Sequence, residues 1–153
     1  MSDTPYVLRS GETLRPLGPL RLLADASTTG GRLTLYSGLL PVGGPPLHVH
    51  DFDEMLLVLE GRVIVQLDEH RTELGSGDFV WLAAGHTHTF ANPGPAPVRA
   101  MGLAIPSGIE DLFAERGQYL AELGDDELPD MEQMAAIYAA HASRVLGPPI
   151  ALG

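Results

Sequence analysis

The residues best suited to chemistry lie in two short stretches. In Gly43 to Gly61, GGPPLHVHDFDEMLLVLEG, His48, His50 and Glu54 fall on positions of one parity, so on an extended chain they share a face. Two neutral imidazoles and a carboxylate form a facial set that holds a divalent transition metal with coordination positions left open. In Gly77 to Asn92, GDFVWLAAGHTHTFAN, His88 opens a second strand and is placed to supply a fourth ligand from beside the first three. Other chemistries are excluded by composition. The chain has no cysteine, hence no thiolate ligand, disulfide or cysteine nucleophile, and no lysine, hence no Schiff base or phosphate-loop lysine.

The elements that must position these residues read as an all-β unit followed by helices. From Arg32 to Ala104, short apolar runs alternate with Gly and Pro clusters, the spacing of a sandwich or barrel. Strands are expected near Arg32 to Leu40, Leu47 to Phe52, Glu54 to Leu59, Val63 to Leu67, Asp78 to Leu82, His86 to Phe90 and Val98 to Ile105. After Pro106, Ile109 to Leu123 and Met131 to Leu146 carry apolar residues at helical spacing, with Pro129 and Pro148 as boundaries. The chain is therefore expected to divide into an N-terminal segment at 1–30 with an edge strand or two, a barrel at 31–106 and a helical extension of the same domain at 107–153. Between Glu110 and Glu132 stand nine carboxylates and one arginine, read as a solvated helix face.

Length and charge narrow the partners. At 153 residues and 44% apolar content, one domain with a full core is expected. A net charge of -11 repels a phosphate backbone and an anionic membrane surface, so nucleic acid and membrane are not expected partners. No apolar run reaches the roughly 18 residues that span a bilayer, and no secretory signal opens the sequence, so a cytoplasmic protein is expected.

On these residues the chain resembles the cupin superfamily, whose two motifs are approximately G(X)5HXH(X)3,4E(X)6G and G(X)5PXG(X)2H(X)3N. His48, His50, Glu54 and Gly61 match the first, with Gly43 and Gly44 one or two places late for its opening glycine. Gly77, Gly85, His88 and Asn92 match the second, with Ala83 where proline is usual. The resemblance implies a small double-stranded β-helix, a jelly-roll barrel with one divalent metal ion in its mouth. It implies ligation by His48, His50, Glu54 and His88, and a homodimer formed through barrel edges or exchanged N-terminal strands. Iron, manganese, cobalt, nickel, zinc and copper all suit such ligands.

Three functions are compatible. The first is a dioxygenase of the quercetinase type, in which Glu54 is both ligand and base, O2 is the co-substrate and a flavonol-like or other small aromatic or enolisable molecule is chelated. The helical tail loosely resembles that of single-domain bacterial quercetin dioxygenase-like cupins. The second is a redox-neutral isomerase, lyase or cyclase, and the third a non-catalytic binder of small ligands. Phe52, Leu56 and Phe90 share the ligands' parity and are candidates to line a substrate pocket. Tyr36 and Met101, on outlying strands, and His86, two residues before His88, complete the candidates. Core packing, or exposure at the rim for His86, is the simpler account of each. His70 and His141 read as surface residues.

Overall fold

Two antiparallel sheets face each other in this computed structural model, which describes residues 4–153. The strands are Pro16–Leu17 (β1), Leu20–Ala24 (β2), Thr34–Leu40 (β3), Leu47–His50 (β4), Asp53–Glu60 (β5), Val63–Leu67 (β6), His70–Leu74 (β7), Phe79–Leu82 (β8), His88–Ala91 (β9), Val98–Ile105 (β10) and Ser143–Gly147 (β11). The helices are Ala26–Thr29 (α1), Ile109–Glu122 (α2) and Met131–Ala139 (α3). One sheet runs β1-β2-β3-β10-β5-β8 and the other β11-β4-β9-β6-β7. This is the expected all-β double-stranded β-helix with helices after it.

Strand alternation decides what lies inside. In β5, Glu54, Leu56 and Val58 are buried while Met55, Leu57 and Leu59 face outward, and β8 alternates likewise. The inward residues of both sheets, among them Leu56, Val58, Val63, Val65 and Val98, form one core. A second core joins the barrel to the helices, with Tyr36 and Ala104 packing against Ile109, Leu112, Met134, Ile137 and Tyr138.

Two segments differ from their sequence reading. His70–Leu74, outside the expected strands, pairs with β6 along its length, Val63 opposite Leu74 and Leu67 opposite His70. Its first four residues are polar or charged and solvent-exposed, so no apolar alternation marks it. Residues 143–146, taken as the end of the last helix, are a strand. The chain leaves α3 at Ala140, takes a positive φ of 53° at Ala142, and pairs with β4, Ser143 opposite His50 and Val145 opposite His48. The C-terminal region thus completes the barrel wall beside the candidate ligands. The N-terminal segment contributes β1, at the sheet edge, and β2, which lies between β1 and β3. The short α1 was not anticipated, although Asp25 caps it through a capping box and Gly30 closes it in the left-handed region.

Glu110 also departs from the solvated face assigned to the helices. It is 2% exposed, and its carboxylate accepts from the backbone N–H of Ala26 and Gly108 and from the Thr34 hydroxyl. A buried carboxylate needs such partners. These tie the start of α2 to the barrel.

The motif residues other than the ligands have structural work. Asn92 donates to the carbonyls of Leu40 and Ala96 and accepts from Gly94 N–H, bracing the loop before β10. At Gly44 a Cβ atom would stand 1.8 Å from the Phe90 carbonyl oxygen, so only glycine allows the two backbones to meet there. Gly44→Ala is therefore expected to lower stability by about 1–3 kcal/mol or more, as other overpacked sites do. The unfolding midpoint in urea measures it, and an unchanged midpoint would show that this approach is not tight.

Candidate metal centre

The shared parity of His48, His50 and Glu54 has a different consequence from the one expected. β4 belongs to the five-stranded sheet and β5 to the six-stranded sheet, so the chain crosses between sheets at Asp51 and Phe52. The two histidines and the glutamate therefore come from opposing walls and converge. His88 enters from β9, paired directly opposite His48 as expected for an adjacent strand. The ligand-capable atoms of His48, His50, Glu54 and His88 all lie within 4.8 Å of one another, and all four residues are buried.

Each imidazole is oriented by its Nδ1 atom. Nδ1–H of His48 donates to the Pro46 carbonyl at 2.7 Å, that of His50 to the Phe52 carbonyl at 2.7 Å, and that of His88 to the His86 carbonyl at 3.0 Å. A backbone bond of this kind fixes the tautomer and turns Nε2 to the centre. His50 Nε2 then lies 2.9 Å from Glu54 Oε2, His88 Nε2 lies 3.7 Å from the same oxygen, and His88 Nε2 is buried without a hydrogen-bond partner. In a neutral ring these Nε2 atoms carry lone pairs. Lone pairs facing a carboxylate repel unless a proton or a cation lies between them, so the donor set fits a divalent metal ion.

The electrostatics agree. Burial, then the neighbouring His88 charge, lowers the His48 pKa to about 4, which keeps the ring neutral at pH 7 as a ligand must be. Burial by itself would raise the Glu54 carboxyl, but a proton held on the facing nitrogen of His50 or His88 outweighs it and keeps the group well below the usual carboxylate range. Glu54 Oε1 accepts from the Tyr36 hydroxyl at 2.7 Å. Burial, followed by the Glu54 charge and hydrogen bond, raises the Tyr36 pKa well above its ordinary value, so Tyr36 keeps its proton.

Asp53 Oδ1 accepts from Ala84 N–H and the His50 carbonyl from Gly85 N–H, tying the turn before β9 to the sheet crossing. These bonds order the turn in which Ala83 replaces proline.

A cavity of about 50 Å³ opens beside His48, His50 and Glu54. Tyr36, Leu56 and Phe90 line it from the barrel. The other three candidates lie elsewhere. Phe52 stacks on the His50 ring at 3.8 Å and 4°, because the sheet crossing turns it behind that ligand. His86 is exposed, with Nδ1 3.2 Å from Asp68 Oδ2, because it sits in the turn before β9. Met101 alternates with the inward Ala100 and Gly102 and so stands on the outside of β10. Phe113 and Arg116 of α2 and Tyr138 of α3 line the cavity without having been singled out, and the Tyr138 ring packs 5.2 Å from that of His48. Spacing along α2 places Leu112, Phe113 and Arg116 on one face, but nothing in the sequence says what that face meets.

Known proteins share this frame. Residues 36–106 match the cupin domain family. The chain is 39% identical over 94 residues to quercetin 2,3-dioxygenase of Bacillus subtilis, covering 56% of this chain and 27% of the enzyme, so it spans only about a quarter of that relative. It is 28% identical over 104 residues to an uncharacterized protein of Methanocaldococcus jannaschii, covering 67% of this chain and 79% of the other. The crystal structure of a Cupin 2 conserved barrel domain protein from Salinispora arenicola superimposes with a TM-score of 0.55 at 22% identity, over 74% of this chain and 99% of that one.

His88→Ala is expected to weaken metal retention by roughly tenfold or more, read as metal content after stripping, reloading and dialysis. Unchanged content would remove His88 from the centre. A second expectation concerns acid. Because His48 folds with a pKa of about 4 against 6.5, its contribution to stability is complete above pH 6.5 and is lost as pH falls toward 4. Over that window the metal-free protein should lose up to about 3 kcal/mol from this group, at 1.36 kcal/mol per unit. His48→Gln should flatten the pH dependence of its urea midpoint, and an equally steep profile in that variant would contradict the assignment.

Proposed function

Taking as premise that residues 36–106 form a cupin domain, we propose that this protein is a metal-dependent enzyme, a dioxygenase of a small aromatic or enolisable substrate chelated at the His48, His50, Glu54 and His88 centre. One observation carries this proposal: four buried ligands converge, one with an unpartnered nitrogen, and three of them, His48, His50 and Glu54, line a cavity. The likeness to the quercetin 2,3-dioxygenase of Bacillus subtilis supports the dioxygenase direction.

A divalent ion held here would supply a Lewis acid that acidifies a chelated hydroxyl, with iron, manganese, cobalt, nickel and copper also open to redox change. The chain's residues do the rest. Glu54 turns Oε2 toward the imidazoles and Oε1 toward Tyr36, so one oxygen serves as ligand and the other receives the substrate hydroxyl proton. Tyr36, which keeps its own proton, stays a donor to Oε1 and holds that oxygen toward the cavity. Leu56, Phe90 and Phe113 make the walls apolar and exclude water.

Arg116 gives the cavity a cationic side. Its Nη1 donates to the Tyr138 hydroxyl at 3.0 Å and its guanidinium lies 5.0 Å from the centre of the Phe113 ring. Among the described residues it forms no ion pair, which suits a substrate carrying an anionic oxygen. The cavity is far smaller than the roughly 300 Å³ of pockets for drug-sized ligands. That favours a compact substrate, such as a β-diketone or a catechol, over a three-ring flavonol.

The test is oxygen uptake by protein stripped and reloaded separately with Fe(II), Mn(II), Co(II) and Ni(II), given β-diketones, catechols and flavonols. Uptake should require metal, fall at least about a hundredfold in Glu54→Gln while some metal is retained, and be fastest with the compact substrates. In Arg116→Gln, KM should rise for acidic substrates only. Substrate consumed without O2, or by the zinc form, would replace the dioxygenase with a redox-neutral enzyme. Ligands that raise the melting temperature yet stay unaltered would replace it with a binding protein.

A further inference from the structure

Resting on the reading of this cavity as the substrate site, we propose that Tyr138 and Arg116 form a carboxylate clamp on its helical side, so that the substrate carries a carboxylate beside its enolisable group. Tyr138 is 0% exposed and lines the cavity, with its ring against that of His48. Its hydroxyl oxygen accepts from Arg116 Nη1 at 3.0 Å. A guanidinium can only donate, so the phenolic proton of Tyr138 is left over, and it finds no acceptor among the described residues. A buried donor without an acceptor is costly, and a ligand oxygen in the cavity supplies what it lacks.

Charge selects a carboxylate as that ligand. Arg116 spends one N–H on Tyr138, and its guanidinium lies 5.0 Å from the centre of the Phe113 ring, a contact that holds the group without neutralising it. The carboxylates of its own helix are engaged elsewhere. Asp111 pairs with Arg15 and Glu115 with His141, Glu110 is buried among its own three donors, and Glu122 accepts from Gln118. Glu54, the one carboxylate among the lining residues, is held on the barrel side beside Tyr36 and His50. In a chain of net charge -11, a cation that lines a cavity without an ion-pair partner among the described residues calls for a negative ligand.

The two sides of the cavity thus ask for different groups. On the barrel side His48, His50 and Glu54 suit chelating enol oxygens, and a bound divalent ion would outweigh the Glu54 charge. On the helical side a carboxylate takes the Tyr138 O–H on one oxygen and an Arg116 N–H on the other, an arrangement that a neutral carbonyl meets only in part. A site of this kind discriminates well, because an analogue lacking the charge leaves its donors unpaired. Joining α2 to α3 by packing alone requires neither a spare proton nor a spare charge. A β-diketone bearing a carboxylate, such as 2,4-dioxopentanoate, carries both groups in one compact frame, and its methyl ester keeps the chelating oxygens while losing the charge.

Titration calorimetry on the full metal-loaded chain under argon reads binding apart from oxygen chemistry. The protein should bind 2,4-dioxopentanoate at least about tenfold more tightly than the methyl ester, the scale of one charge-assisted hydrogen bond. Arg116→Gln, which keeps a donor for Tyr138, should reduce that preference to about twofold or less while ester affinity, metal content and circular dichroism stay unchanged. Tyr138→Phe, which keeps the ring, should cut it at least about threefold, and Arg116→Lys should retain part of it. The clamp is overturned by equal affinity for acid and ester, by binding of neither, or by a preference that survives in both Arg116→Gln and Tyr138→Phe, which would place the carboxylate on the metal. Parallel loss of acid and ester binding in these variants would also overturn it, leaving the pair a packing contact. Oxygen uptake separates this outcome from the dioxygenase reading. Acid preference without uptake keeps the clamp and removes the dioxygenase, whereas uptake at equal rates with acid and ester does the reverse.

Discussion

A carboxylate at 5% exposure inside a barrel of valines and leucines is costly unless its charge is answered, and around Glu54 the Tyr36 hydroxyl answers one oxygen while three imidazoles from another wall make a place for a cation or proton at the other. That requirement organises the protein. Three nitrogens from β4 and β9 must meet an oxygen from β5, so the two sheets have to close to one distance at this level. The closure is made by the crossing at Asp51 and Phe52, where the Phe52 carbonyl takes the His50 Nδ1–H and the Phe52 ring backs the same imidazole. A tight turn thereby both moves the chain between sheets and orients a ligand.

The same logic extends outward from the centre. Each histidine hands its second nitrogen to a backbone carbonyl only two residues away, so ligand orientation is built into local chain geometry rather than left to distant side chains. Tyr36 occupies the remaining Glu54 oxygen and can do so because Gly102 on the neighbouring strand has no Cβ, where one would stand 2.1 Å from the tyrosine ring. The helices then cover what the sheets leave open. Leu112, Phe113 and Arg116 of α2 and Tyr138 of α3 wall the cavity, while Glu110 anchors the start of α2 through bonds to β3 and the first residue of α1. β11 returns beside β4 to pair with the segment carrying His48 and His50. What reads as an appendix is thus the roof and part of the wall.

The strands around the site serve two surfaces at once. Along β5 and β10, one parity faces the cavity and core while the other makes an apolar exterior, so Gly102 contacts Tyr36 and its neighbours Met101 and Leu103 face away from it. The candidate metal centre and an exposed apolar sheet are in this way separated by the thickness of one strand. Substitutions on one parity act on a different property from those on the other.

The sequence by itself determined the donor set, the strand framework and the all-β class, because ligand spacing, Gly and Pro breaks and apolar alternation are local properties of the chain, while the double-stranded β-helix followed from the resemblance of its two motifs to the cupins. His48, His50, Glu54 and His88 were legible for that reason, and the strands from β3 to β10 were legible apart from the polar β7. It also carried the sign and scale of the charge. Tertiary structure alone decided that equal parity at His50 and Glu54 means opposing walls, since a bend between two strands leaves no mark in parity. It alone decided that Phe52 supports a ligand, that His86 and Met101 face away from the cavity, and that Arg116 and Tyr138 face into it. It alone turned residues 143–146 from helix to strand, because pairing with β4 outweighs a weak local preference. These outcomes depend on which surfaces meet across tens of residues, and no periodicity within a single segment encodes that.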